Sequence, residues 1–309
     1  MREIGLECKN TVEEFDKSTK TPLRYFPGCT LCTKAKNFDA STRLSFRALG
    51  IELEELSSWT CCGTVFPLVQ DNLMKLIAPV RNLAKASADG KELVTGCSCC
   101  YNTLKRANRV MRTDFERARK INLFLEDDFK ESYQGEVKVL HLLEFLRDRV
   151  GFNSLAKQVK RKLGGLEIAP YYGCLLLRPY PEIELDNLEN PKIFADFLRC
   201  LDSEPIDFAH KTTCCGTYLA VSSPQIAIRA SERILASAQE NGAEALVLSC
   251  PLCFYNLDQN QRYMPLERTL PIFYFTQLLG IALGVNPQLL GFNQHSIDPC
   301  PLLKEKGLI

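Results

Sequence analysis

The chain has 309 residues, 46% hydrophobic and 24% charged, which is enough to bury a core in two domains or in one large one. Its 38 Lys and Arg against 37 Asp and Glu leave a formal charge of +1, a balance that directs it toward neither nucleic acid nor an anionic membrane. Fifteen cysteines are the anomaly, because small disulfide-stapled secreted domains reach such a density and chains of this length normally do not.

At the N-terminus, Met1 to Lys9 has no apolar h-region, so no secretory signal is expected. A reducing, cytoplasmic setting follows, in which cysteine clusters read as metal ligands or redox groups. Leu23–Phe26 reads as a short strand ending at Gly28-Cys29. Lys34–Leu49 has helical apolar spacing and stops at Gly50. Ile51–Leu56 alternates as a strand and leads into Thr60-Cys61-Cys62-Gly63-Thr64. Phe66–Ala88 is helical in pattern, and Glu92–Cys97 is a strand again. Asn153–Gly165 reads as a basic amphipathic connector helix. Gln225–Asn241 is a helix stopped by Gly242, and Ala245–Cys250 is a buried strand. The longest apolar stretch, Phe273–Val285, is broken by Thr276, Gln277, Gly280 and Gly284 and falls short of the roughly 20 residues a membrane span needs.

The second half repeats the first. Cys29, Cys61-Cys62-Gly63 and Cys97-x-x-Cys100 are matched by Cys174, Cys214-Cys215-Gly216 and Cys250-x-x-Cys253. Cys61 to Cys214 and Cys97 to Cys250 are both 153 residues apart, and His141 falls opposite Tyr274 at an offset of 133. The organisation expected is an N-terminal extension (1–22), a first domain (23–152), the connector (153–169), a second domain (170–290) and a polar, proline-punctuated tail (291–309). Strands alternating with helices imply an α/β fold in which each repeat is a small, mostly parallel sheet flanked by helices. The cysteines then lie past the carboxyl ends of strands, the edge where open α/β sheets bind ligands.

Each repeat offers five thiols in the pattern C-x31-CC-x34-CxxC or C-x39-CC-x34-CxxC. Structural zinc takes four ligands, usually from two short CxxC-like pairs, and each repeat has one CxxC and a fifth thiol besides. A cubane iron–sulfur cluster also takes four cysteines. Adjacent cysteines reach one metal group only through a turn, for which Gly63 and Gly216 provide freedom. Five thiolates suit a multinuclear iron–sulfur assembly of larger coordination demand, with zinc in one repeat still open.

The doubled motif resembles the CCG, or cysteine-rich, domain, and from about residue 23 to 290 the chain is similar to the HdrB family, the B subunits of heterodisulfide reductases. The resemblance implies two such domains related by a pseudo-two-fold axis, each holding a noncubane [4Fe-4S] cluster near the domain interface. Cys29, Cys61, Cys62, Cys97 and Cys100 would bind one cluster; Cys174, Cys214, Cys215, Cys250 and Cys253 would bind the other. It further implies reductive cleavage of a small disulfide held between the clusters, each taking one sulfur as it gives one electron, with no protein acid or base required. Electrons would come from an iron–sulfur protein like the C subunit of those complexes, fed by a flavin-containing protein like their A subunit. The alternative is an electron-transfer or anchoring CCG subunit of a succinate-, lactate- or glycolate-oxidising system. A third reading makes one repeat a mere interaction scaffold, but no motif cysteine is missing from either.

Five cysteines lie outside the motif: Cys8, Cys32, Cys99, Cys200 and Cys300. They are expected to be thiols without metal, packing as small hydrophobes, with Cys32 closest in sequence to a ligand. His141 is expected to pack or hydrogen-bond, His210 to be a local structural histidine, His295 to lie outside any metal spacing, and Trp59 to shield the first site. The basic run from Lys105 to Lys120 reads first as a solvated helix face and second as a docking surface for an acidic partner or anionic substrate. No Walker loop, GxGxxG after a strand or Ser–His–Asp arrangement is visible, which argues against nucleotide, flavin and hydrolytic chemistry in this chain.

Overall fold

Short runs of two to four residues, the inner ones apolar, become the strands. The computed structural model describes residues 22–64, 73–266 and 268–309. In the first half these runs are β1 (Leu23–Tyr25), β2 (Leu53–Glu55), β3 (Glu92–Thr95) and β4 (Lys138–His141). The second half has β5 (Glu167–Pro170), β6 (Glu204–Pro205), β7 (Ala245–Leu248) and β8 (Ile272–Tyr274). They build two four-stranded sheets ordered β2-β1-β3-β4 and β6-β5-β7-β8, and every pairing is parallel. β7 is buried along its whole length, as a strand covered by helices on both faces must be.

From β1 the chain winds outward to β2, then crosses back over β1 to β3 and β4. The winding direction therefore reverses between β1 and β3, and again between β5 and β7. Such a switch point leaves a crevice beyond the strand ends. Cys29 and Cys97 follow β1 and β3, and Cys174 and Cys250 follow β5 and β7, so the motif cysteines line both crevices.

Observed helices follow the expected ones closely at Lys36–Ala48 and Pro224–Glu240, the latter opening with proline at its first position, where the missing N–H costs nothing. The helix expected over Phe66–Ala88 is found as Met74–Asp89, and its first residues lie outside the described ones. The connector is corrected. Only Phe152–Ala156 is α-helical, because after one further turn the backbone from Lys160 on is bonded to the second half instead of to itself. Lys160 and Arg161 N–H groups both donate to Ala282 O, at 2.8 and 3.0 Å, and Leu163 N–H donates to Leu201 O. The C-terminal tail is docked, with Phe292, Leu303 and Leu308 buried and a helix at Cys300–Glu305.

The halves pack through an exchanged arrangement. Helix Lys36–Ala48 of the first half lies on helix Phe275–Ala282 of the second, and helix Ile193–Cys200 of the second lies on Leu142–Phe145 of the first. This reciprocity is the pseudo-two-fold relation expected of a duplicated domain. Ser41 Oγ sits 2.7 Å from Thr276 Oγ1, Ser45 Oγ donates to Thr276 O, and the Phe38 ring stacks on Tyr274 at 4.2 Å. At Gly280 an added Cβ would stand 2.6 Å from a Leu290 methyl and 3.1 Å from Ser45 Oγ, so the close approach of these helices requires glycine. His141 and Tyr274 occupy equivalent places at the ends of β4 and β8. Each starts a helix whose third residue, Glu144 or Gln277, accepts from the backbone N–H of His141 or Tyr274. His141 is fully buried, its Nδ1 accepting from Leu143 N–H and its Nε2 lying 2.9 Å from Gly96 O, which makes it a structural histidine.

Candidate metal centres

Each five-cysteine set is assembled from three places: a cysteine after the first strand of its sheet, a vicinal pair in the loop after the second strand, and a CxxC at the start of the helix after the third. In the first half, Cys29 and Cys61 Sγ atoms lie 3.5 Å apart. Cys62 is within hydrogen-bonding reach of both Cys61 and Cys100, and Cys100 is within reach of Cys97. In the second half, Cys174 reaches Cys214 and Cys214 reaches Cys215, Cys215 and Cys253 lie 3.3 Å apart, and Cys253 reaches Cys250. All ten predicted residues are thereby brought into two strings of the same internal order. Within each string the CxxC and the second cysteine of the vicinal pair are buried, while Cys61 and Cys214 are exposed. One end of each set is dry and the other faces solvent.

The cysteines that are described are all free thiols. Among the described residues no three His, Cys, Asp or Glu side chains converge as around a single metal ion. The thiols run in file, an all-sulfur donor set of the soft kind that binds iron–sulfur clusters. Thiol pKa values split along the files. Contact with Cys100 and then with Cys99 pulls Cys97 down to about 5, overcoming its burial, and contact with Cys174 and then Cys215 pulls Cys214 down to about 2. Cys62 and Cys250 are also held well below the usual thiol range by hydrogen bonds, from Cys100 and from Cys253 first of all. Their partners move the other way: Cys100 is raised first of all by its contact with Cys62 and Cys174 by its contact with Cys214, in both cases reinforced by burial, and Cys29 is raised by its contact with Cys61. Each set thus contains thiolate-prone members, the form that binds metal.

Threonines extend the motif. Thr64 Oγ1 lies 3.2 Å from Cys62 Sγ, and Thr217 Oγ1 lies 3.1 Å from Cys215 Sγ. Asn256 Nδ2 donates to both Cys215 O and Thr217 Oγ1 at 3.1 Å. Tyr218 Oη donates to Thr64 O, tying the loop of one set to that of the other. The signal for the threonines is the shared Thr-Cys-Cys-Gly-Thr, in which the last residue recurs as faithfully as the cysteines.

Gly28, with φ of 77°, turns the chain from β1 to Cys29, and a Cβ there would stand 2.6 Å from Cys100 Sγ. At the equivalent Gly173 the nearest sulfur, Cys253 Sγ, would be 3.5 Å away, an ordinary contact. Gly28→Ala is therefore expected to deplete metal from the first set, and Gly173→Ala to deplete the second less, as measured by iron per chain in each variant. Equal retention in both would show that Gly28 does not shape its site.

Of the remaining cysteines, Cys8 lies outside the described residues. Cys32 is exposed, and Cys200 donates to Phe197 O at 3.0 Å. Cys300 is half-buried, while Cys99 is buried against the second set, 3.5 Å from Cys250 Sγ. Cys99 is thus buried in the core as a small hydrophobe was expected to be, and it also touches the second set, a contact the expectation did not include. His210 Nδ1 lies 3.2 Å from Thr213 Oγ1, a local contact. His295 Nε2 lies 2.9 Å from Gln277 Nε2, helping to hold the C-terminal tail. Trp59 packs edge-on to Phe26 at 5.3 Å and donates to Glu55. Much of the basic run is paired or bonded: Arg117 with Asp114, Lys120 with Glu116, Lys105 with Tyr101 Oη, and Arg109 with Pro181 O. Arg106, Arg109 and Arg117 also wall a cavity of about 360 Å³ that reaches Gly63.

Comparison with known proteins supplies the family. The cysteine-rich CCG domain matches twice, over residues 23–105 and 168–258. The chain is 32% identical, over 90% of its length and 98% of the relative's, to the 8-methylmenaquinol:fumarate reductase membrane anchor subunit of Wolinella succinogenes. It is 29% identical, over 89% of its length and 94% of the relative's, to the B subunit of the ferredoxin/F(420)H(2)-dependent CoB-CoM heterodisulfide reductase of Methanosarcina acetivorans. A hypothetical protein from Helicobacter pylori shares the fold with a TM-score of 0.73 at 16% identity, over 90% of this chain and 52% of that one. With both repeats matched and both cysteine sets assembled, the chain belongs to the CCG cysteine-rich domain family and carries two copies of its domain.

Proposed function

We propose that this chain is the iron–sulfur subunit of a multisubunit oxidoreductase, that each five-cysteine set holds a [4Fe-4S] cluster of the noncubane kind, and that the substrate is a small disulfide or its thiol products. The observation that carries this reading is that two complete five-thiol files, identical in order, meet at the interface of the repeats. When bound, such clusters supply one electron each and iron that takes up thiolate sulfur, which matches the two electrons a disulfide needs.

The chain's own residues hold and shape the sites. Thr64 and Thr217 hydrogen-bond to the inner thiols, Gly28 and Gly173 let the backbone pass close to the sulfurs, and the buried CxxC ends exclude water. No titratable side chain other than the cysteines is needed for bond cleavage. The exposed Cys61 and Cys214 ends are where a substrate or an electron-carrying partner would approach. The electron donors would be an iron–sulfur protein resembling the C subunit of heterodisulfide reductase and a flavin-containing protein resembling its A subunit, in the cytoplasm. Among the described residues no helix is long and apolar enough to cross a membrane.

A second reading has a specific observation in its favour. The near full-length match to the fumarate reductase subunit of Wolinella succinogenes supports an electron-transfer or anchoring role in a complex whose substrate binds elsewhere. Iron, zinc and acid-labile sulfide per chain on anaerobically purified protein test the shared premise. About eight iron and eight sulfide are expected for two clusters; about four iron with one zinc would reduce one repeat to structure and remove the two-site disulfide reading. Disulfide-dependent reoxidation of the reduced protein then separates the two roles, since a pure relay does not react with the disulfide.

A further inference from the structure

Cys99 occupies a place in the thiol file that belongs to neither motif. Its Sγ is 3.5 Å from Cys250 of the second set and within hydrogen-bonding reach of Cys97 of the first. The side chain is 4% exposed, and it helps to wall a narrow cavity of about 20 Å³ enclosed by the second set. Outward from Cys99 the two sets run in the same order. One way lie Cys97, Cys100, Cys62, Cys61 and Cys29; the other way lie Cys250, Cys253, Cys215, Cys214 and Cys174. Beside it Ser98 Oγ meets Ser249 Oγ at 2.7 Å, so this is the point where the two half-sites touch. In the repeat register Cys99 corresponds to Leu252, which has no polar hydrogen, so the crossing is made by one thiol alone.

We propose that the Cys99 thiol couples the two centres by directing its single proton to either Cys97 or Cys250. The inference rests on the assignment of a cluster to each set. A thiol carries one S–H and gives it to one acceptor at a time, whereas sulfurs bound to iron have no proton to return. A hydrogen bond to a ligand sulfur offsets its negative charge and raises the reduction potential of the cluster it serves. Rotation about the Cβ–Sγ bond aims the S–H at whichever sulfur bears more charge, and the proton never leaves Cys99. An electron arriving at either set draws the S–H to that side and is stabilised there. A second electron, arriving at the other set, finds the donor already engaged. Cys99 therefore raises the first of two one-electron midpoints and leaves the second where it was, which spaces the two steps apart. It is a positioning residue acting through Cys97 and Cys250.

The test is an anaerobic redox titration with dithionite, followed by electron paramagnetic resonance, on the full-length protein and its Cys99→Ala and Cys99→Ser variants, with iron counted in each. Cys99→Ala is expected to keep parental iron, to lower the upper midpoint and to leave the lower one in place, so that the separation shrinks. Cys99→Ser, which keeps a donor, is expected to fall between the two. In an iron-replete Cys99→Ala variant, parental midpoints, or an equal fall in both, would overturn the shared-proton role. Loss of iron from that variant would also overturn it, by making Cys99 a ligand. A parent protein without iron would overturn the cluster assignment itself and this coupling with it.

Discussion

Cys62→Ser is expected to lower bound iron from about eight to about four per chain, with the second set intact, and Cys215→Ser to do the converse. Both residues are buried and touch neighbours on two sides: Cys61 and Cys100 for Cys62, Cys214 and Cys253 for Cys215. Serine keeps the shape but replaces a soft thiolate by a hard oxygen that ionises far less readily, so iron loses its preferred donor at the centre of the file. The two losses should be independent because the sets share no ligand, and the double variant should hold almost no iron. Iron analysis and the spectra of the remaining cluster check this. Disappearance of both clusters from either single variant, with the fold retained, would refute the two-centre assignment.

Phe275→Ala is expected to cost about 3–5 kcal/mol of stability, the range for emptying a fully buried aromatic site. The ring is wholly buried and lies 5.8–6.2 Å from Phe38, Phe194, Phe197 and the His141 imidazole, so it touches both halves. Denaturant unfolding should show the midpoint falling while the transition remains single, because the cavity opens where the halves join. A loss below about 1 kcal/mol would mean that the surrounding rings collapse into the gap.

The duplication, the parallel α/β character and the ten motif cysteines are legible in the sequence, because a glycine turn, a vicinal pair and a CxxC in one register leave few alternatives. The connector departs from its pattern for a physical reason. Leu155, Ala156, Val159 and Leu163 have helical spacing, but carbonyls at Ala282 and Leu201 capture the backbone N–H groups that a longer helix would have used. The tail's polar, proline-punctuated pattern does not say whether it docks or stays loose, and it is the burial of Phe292, Leu303 and Leu308 that decides for docking. The place of Cys99 is masked in the sequence because its neighbour Cys100 is a motif residue. Helix Ser98–Thr113 starts just before both, and successive residues on a helix point about 100° apart, so two adjacent cysteines there face different centres. The clue is its correspondence to Leu252, a position the other repeat fills without sulfur.

The crossed packing of helices Lys36–Ala48 and Ile193–Cys200 onto the opposite half has a consequence for how such a chain can be divided. Severed from its partner, the first half would present Phe38, Ser41 and Ser45 to water, and the second would uncover Tyr274, Phe275 and Thr276. Each half relies on the other to cover this surface, and what each leaves bare fits a repeat of its own fold. An isolated half satisfies that surface most directly by embracing a second copy of itself. The duplicated chain is in this sense a tethered dimer, whose covalent link lets one copy carry a cysteine at the axis where the other carries a leucine.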